Sequence, residues 1–336
     1  MNWNNFDDTR ECLESLVDDK GSADIFLIDN ASAADEPGKL RGLNDQLKIA
    51  KLIFNDENYG FTAAHNKIFP SVIEKYQYVF LLNNDTVIHP ELIETLLQHV
   101  RNEDTDLLSC KMVNYWKRNL MDNAGHKMLS SGEIIPIGHG KPIRNFDVSF
   151  KNMGACAGAG LYSSTMLKDI GIFDDYFKTG YEDAELGLRA FIAGYDCKYE
   201  PRAVVYHKMG RSIKKVFNYK YTLKIQTNIF YAYLKLVHWQ VIAINFLPWL
   251  LRFIMITLVD IVFWRPKYLK VQYHALYIIL FRDWKKAMRA RKQNRHLRRI
   301  SWWKLMRKQE FFLLRDIKSF YRFIIKGEKS YFEKYS

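Results

Sequence analysis

Four short, largely apolar runs constrain this chain more than any other feature: Ile25-Phe-Leu-Ile28, Lys51-Leu-Ile-Phe54, Tyr78-Val-Phe-Leu-Leu82 and Ala203-Val-Val-Tyr206. Strands that are apolar throughout, rather than on alternate residues, are covered on both faces, and with helices between them they belong to a mostly parallel α/β sheet. The intervening patterns predict helices over Asp7–Val17, Ala63–Val72, Pro90 to about Val100, Ser163–Ile170 and Glu182–Ala193. Pro90 suits a first turn and Gly194 a stop. Ligands of such sheets sit at the carboxyl ends of the strands, where this sequence places Asp29, Asp85 and His207. A strand should also precede the first helix. Asn2-Trp-Asn-Asn5 reads as the loop after it, so the first strand is expected to be missing and the chain to start several residues inside its gene.

Composition narrows the class. The chain has 336 residues, 48% hydrophobic and 26% charged, which excludes a disordered tail, a collagen-like fibre and a disulfide-stapled mini-domain. Cys12, Cys110, Cys156 and Cys197 show no CxxC spacing, so neither a zinc framework nor a disulfide set is suggested and a reducing, cytoplasmic setting is expected. The polar, acidic N-terminus does not read as a signal peptide.

Charge divides the chain. Residues 1–200 carry 20 Lys and Arg against 31 Asp and Glu, whereas residues 201–336 carry 30 against 6. We therefore expect an α/β domain over 1–215, which the resemblance drawn below makes the nucleotide-binding and catalytic one, and a helical, basic and aromatic extension over 216–336. Within the extension, Trp239–Trp264 is apolar enough to raise a membrane span, but Asn245, Pro248, Arg252 and Asp260 interrupt it. On a helix these four share one arc of about 120°, which favours a helix lying in an interface or packed on a neighbour. Residues 282–308 alternate basic clusters with Trp284, Trp302 and Trp303, a pattern suited to an anionic membrane surface.

The residues able to carry chemistry each have a plainer reading. Asp85, beside Asn83, Asn84 and Thr86, is placed to hold a divalent cation and through it a diphosphate, or simply to cap the helix after Pro90. Glu182, Asp183 and Glu185 put three carboxylates at a helix N-terminus, where the dipole alone favours them. His207 is either a ligand or a structural histidine.

Taken in order, these segments resemble the family 2 glycosyltransferases of the GT-A (Rossmann-like) fold, especially bacterial rhamnosyltransferase-like members. The resemblance runs through Asn2–Asn5, Glu11–Leu16, Ile28–Ser32, Glu57-Asn-Tyr-Gly-Phe61 with Asn66, Leu81–Thr86, Gly171–Asp174, Tyr181–Leu186 with Arg189, and Val205–His207 with Ser212. It implies that Asn4, Asp29, Asn58, Gly60, Asn66, Asn84, Asp85 and Gly158 line a site for a dTDP- or UDP-linked sugar. It also implies that Asp85 and His207 hold Mg²⁺ or Mn²⁺ and that Asp183 is the catalytic base, with Glu182, Glu185 and Arg189 in support. The implied activity is inverting transfer of a hexosyl or rhamnosyl group to a glycan or lipid-linked acceptor in cell-surface polysaccharide synthesis, at the cytoplasmic face of the membrane. Two departures stand out: the family's DxD is reduced to Asn83-Asn84-Asp85, and Glu185 replaces its second aspartate.

Three other readings compete. A nucleic-acid-binding protein would use the basic extension, but no recognition motif accompanies it, so no nucleic acid is expected. A nucleotidyltransferase would want a Gly-rich basic loop that is absent here. An inactive relative serving as a partner subunit remains open.

Overall fold

A computed structural model describes residues 1–19, 21, 23–208 and 218–312; Ser212, one of the resemblance residues, lies outside them. The chain forms two compact units, residues 1–126 with 136–211 and residues 127–135 with 212–336.

The first unit opens with α1 (Phe6–Leu16), whose first turn carries Asp7 and Asp8, the sign the helix dipole favours. Then follow β1 (Ile25–Asp29), α2 (Glu36–Leu47), β2 (Ala50–Phe54), α3 (Gly60–Asn66), α4 (Phe69–Lys75), β3 (Tyr78–Leu82), β4 (Thr86–Ile88), α5 (Leu92–Asn102), β5 (Leu107–Asn114) and β6 (Met121–Asn123). After the short β7 (His126–Met128) and β8 (Ile134–Pro136) come β9 (Phe150–Asn152), β10 (Ala159–Ser163), α6 (Ser164–Ile170), α7 (Glu182–Ala193) and β11 (Cys197–His207). Two prolines explain departures from the sequence reading. Pro70 sits in the first turn of α4 and makes two helices of the single one expected over Ala63–Val72, while Pro37 opens α2, which polar periodicity had hidden. The strand expected over Ala203–Tyr206 is longer and starts at Cys197.

The expected α/β sheet flanked by helices is present, and it is mixed. β1 and β2 form a separate parallel pair. The larger sheet runs β3-β10-β5-β11-β4, with β6 on β5 and β9 on β11. Only β5–β11 is parallel within it; β10 returns antiparallel between β3 and β5. No helix lies between β9 and β10, so β10 is reached without the crossover helix that a parallel neighbour needs; Ser163 then ends β10 and caps α6, accepting from the Met166 N–H. β1 and β3 are not hydrogen-bonded to each other, and both line an apolar cavity of about 390 Å³. On the side of β1 opposite β2, Asn2 makes an isolated parallel bridge to Asp29.

Close approach of α7 to the 153–157 segment depends on two glycines. A Cβ on Gly187 would lie 2.7 Å from the Gly154 Cα, a distance no side chain tolerates.

Among the described residues the second unit holds the hairpin tip 127–135 and five α-helices: α8 (Tyr219–Leu236), α9 (Trp239–Val262), α10 (Pro266–Tyr277), α11 (Trp284–Gln293) and α12 (Trp302–Lys308). Among the described residues α9 is the one helix long and apolar enough to cross a membrane.

Candidate active site

Pairing of β11 with β4 sets His207 opposite Thr86, and the Lys208 N–H donates to the Asp85 carbonyl at 2.9 Å. These bonds fix two chain segments 122 residues apart, so that His207 Nε2 stands 3.3 Å from Asp85 Oδ1. The other ring nitrogen, Nδ1, donates to Asp122 Oδ2 at 2.6 Å. Asp122 comes from β6, and His139 stands 3.2 Å from its second oxygen. Burial opposes charge on His207, Asp122 and Asp85, and attraction between opposite charges overcomes it. His207 is raised to about 10 by its two carboxylates, Asp122 is held at about 2 by His139 and His207, and Asp85 is lowered by His207.

This donor set fits a divalent cation that takes the place of the His207 Nε2 proton, since a histidine ligates only as neutral imidazole. A carboxylate oxygen and an imidazole nitrogen 3.3 Å apart can share one ion, and a carboxylate behind the imidazole is the usual device that orients a metal-bound histidine. Asp122 was not among the sequence candidates. It lies in a stretch without periodicity, and only the β5–β6 pairing of Met112 with Asn123 reveals its place.

Asp183 occupies a second cluster. The turn before it is strained: Lys178, Gly180 and Tyr181 all have positive φ, Tyr181 at 79°, conformations that persist at sites where the surroundings impose them. The Asp183 carboxylate accepts from the Ala157 N–H at 3.1 Å and from the Ala184 N–H at 2.7 Å. It is partly exposed and lies 3.9 Å from Nε2 of buried His126. Burial lowers the His126 pKa although Asp183 pulls it upward, and its Nδ1 has no hydrogen-bond partner among the described residues. His126, Cys156 and Asp183 bring ligand-type atoms within 4.8 Å of one another. His126 also escaped the sequence reading. The clusters meet through Gly158, whose carbonyl accepts from the Asn83 N–H at 3.0 Å. A Cβ there would come within 3.3 Å of the Asn83 side chain.

The remaining candidates are tied into loops. Asp29 is buried and accepts from Asn2 Nδ2 at 2.8 Å and from Ser32 Oγ at 2.6 Å. Asn4 accepts from the Ala33 N–H, and Asn84 donates to Thr9 Oγ1 at 2.7 Å. Asn58 accepts from Asn30 Nδ2 and from the Gly60 N–H. Gly60 adopts φ 75°, and next to it the Thr62 N–H reaches the Lys178 carbonyl, which joins this loop to the turn before Asp183. Asn66 donates to the Phe173 carbonyl and to Asp175, both at 2.8 Å. Glu182 is buried. Glu185 and Arg189 form a fully buried bidentate pair at 2.7 and 3.1 Å, with Arg189 also donating to the Ile170 carbonyl. That pair anchors α7 on α6.

The family model described as glycosyl transferase family 2 matches residues 2–171, half of the sequence, and the chain belongs to that family. No curated protein matches it by sequence. The crystal structure of GalNAc-T7 with UDP, GalNAc and Mn²⁺ shares the fold, with TM-score 0.51 and 13% identity over 66% of this chain and 44% of that one; the present chain therefore corresponds to less than half of that protein's length. Two further structures align with TM-score 0.46: S. aureus TarS 1–349 in complex with UDP (14% identity, 68% of this chain and 63% of that) and the Pyrobaculum calidifontis mannosyltransferase PcManGT in complex with GDP-Man and Mn²⁺ (13%, 87% and 71%).

Proposed function

We propose that this chain is an inverting glycosyltransferase that moves a sugar from a nucleoside-diphosphate donor to an acceptor hydroxyl. The observation that carries the reading is the Asp122–His207–Asp85 chain, linked through Gly158 to the segment that holds Asp183. Asp85 and His207 would hold Mg²⁺ or Mn²⁺, which supplies positive charge to the departing diphosphate. Asp183 acts on the acceptor. Its carboxylate, fixed by the Ala157 and Ala184 N–H groups, takes the hydroxyl proton as the oxygen bonds to the anomeric carbon. The C–O bond to the diphosphate breaks in the same displacement, and the diphosphate leaves with the electron pair. One displacement inverts the anomeric centre. Asp29, Asn58 and Gly60 shape the loops that receive the nucleotide, with Asn4, Asn66 and Asn84 bracing them.

By resemblance the donor is dTDP- or UDP-linked, rhamnose among the candidates. The acceptor is a glycan or lipid-linked saccharide of cell-surface polysaccharide synthesis, met on the cytoplasmic side.

The test is a panel of UDP-, dTDP- and GDP-sugars with Mn²⁺, scored for thermal stabilisation and slow donor hydrolysis. One nucleotide class should respond, EDTA should abolish the response, and Asp183→Asn should keep nucleotide binding while turnover falls about 10²–10⁴-fold. Turnover unchanged in Asp183→Asn would refute the base assignment. Silence toward every donor would favour an inactive partner subunit.

A further inference from the structure

We propose that the second unit docks in-plane on an anionic lipid bilayer through the outward face of α9 and the aromatic residues that follow it. α9 is inside-out for a helix in water. Its polar residues face the protein: Asn245 is buried and donates to Gln309 at 3.0 Å, Asp260 is buried and pairs with Arg265 at 3.3 Å, and Arg252 forms a bidentate pair with Glu133 at 2.9 and 3.3 Å. Ile244, Leu247, Leu251, Ile254, Leu258 and Ile261 face outward, each 46–61% exposed. Their alternating spacing of three and four makes one stripe about 25 Å long. A soluble helix shows the opposite arrangement, and an exposed apolar strip of this length marks an interaction surface.

Two observations select the occupant. Trp264 is 85% exposed, an amphipathic ring of the kind that settles at the headgroup level, and Phe281, 75% exposed, adds an apolar ring. Between Trp264 and Gln309 the chain carries 15 Lys and Arg and a single acid, Asp283, which is buried and paired with Arg282. Lys267, Lys270, Lys285, Lys286 and Arg289 are exposed. An apolar stripe followed by strongly basic, exposed helices matches lipid tails under anionic headgroups; a second copy of so basic a unit would be repelled, and nucleic acid has no use for the leucine stripe. The orientation follows from Arg252. It stands near the middle of the 24-residue helix, so a crossing would carry the Arg252–Glu133 pair to the bilayer centre, whereas in-plane docking leaves the pair on the protein side.

The experiment sediments the full chain with vesicles of phosphatidylcholine alone or with roughly 30% phosphatidylglycerol. Binding should be at least about tenfold tighter to the anionic vesicles, and Leu251→Glu with Leu258→Glu should weaken it at least about tenfold with the melting temperature unchanged. Lys285→Glu with Lys286→Glu, which leaves the stripe intact, should remove most of the preference for anionic lipid. Equal binding by the leucine variant and wild type overturns the proposal, as does a dimer in light scattering that the leucine substitutions dissolve. Resistance of bound protein to alkaline carbonate would mean a span and overturns the in-plane orientation. This inference stands independently of the transfer reaction.

Discussion

The pair that anchors α7 permits a quantitative test of what positions Asp183. Glu185 is 0% exposed and Arg189 4%, and two charge-assisted hydrogen bonds join them at 3.1 and 2.7 Å. At about 1.5–3 kcal/mol for each bond to a charged group, Glu185→Ala should cost about 3–6 kcal/mol. The typical cost of orphaning one partner of a buried ion pair, about 3–5 kcal/mol, agrees. Arg189 would retain only its bond to the Ile170 carbonyl at 2.9 Å among those described here, far short of what a buried guanidinium needs. Urea denaturation reads the effect: with a slope of about 3 kcal/mol per M, the midpoint should fall by about 1–2 M. Replacing both partners, as Glu185→Leu with Arg189→Met, removes the desolvation cost along with the attraction and should return stability to within about 1 kcal/mol of wild type. A cost below about 1 kcal/mol for the single variant, or a double variant no better than the single, would refute the reasoning. Donor turnover adds a second reading, because full stability with no turnover in the double variant would mean that Glu185 does more than hold the helix.

Other predictions follow from individual contacts. Gly187→Ala should lower stability by about 1–3 kcal/mol in thermal melts, since its Cβ would meet the Gly154 Cα at 2.7 Å and the Met153 carbonyl at 3.0 Å; Gly38→Ala, in α2 with nothing within 4 Å, should instead stabilise by about 0.5–1 kcal/mol. Asp122→Asn should weaken Mn²⁺ binding about 10–100-fold by calorimetry, and an unchanged affinity would remove Asp122 from the metal reading. His65 is held down to about 4 by burial, so between pH 4 and its ordinary value near 6.5 the unfolded chain binds a proton that the folded one does not. Stability should therefore rise across that window by about 3 kcal/mol and level off above it. His65→Phe should flatten this part of the profile, and an unaltered slope would count against a neutral His65.

Legibility in the sequence followed the local signals. β3 and α7 were read residue for residue, because an unbroken apolar run defines Tyr78–Leu82, and acidic residues at one end with Gly194 at the other define Glu182–Ala193. The break between α3 and α4 was missed because the apolar spacing continues through it, and only Pro70 marks the new start. In the site, Asp85 and His207 could be named singly, since each ends an apolar strand. Their bracing by Asp122 could not, because three-residue β6 carries no periodic signal and reaches the site only by pairing with β5. Asn245, Arg252 and Asp260 of α9 were visible with Pro248 on one arc, but which medium that arc faces is decided by partners far off in sequence, Glu133 and Gln309.

The strand order β3-β10-β5-β11-β4 also imposes a timetable on the cell. The three strands translated first are never neighbours within this run; each waits for β10 or β11, and the Lys208 ammonium that reaches Asp8 at 2.6 Å is later still. At roughly 5–20 residues per second, the ribosome leaves β3 and β4 without sheet partners, and β5 with β6 alone, for on the order of ten seconds. A nascent chain halted near residue 150 should therefore be cut readily by protease between β3 and β5, while one released beyond the end of β11 should resist. Synthesis, more than the finished molecule, is where this topology is exposed to aggregation and where a chaperone would have something to hold.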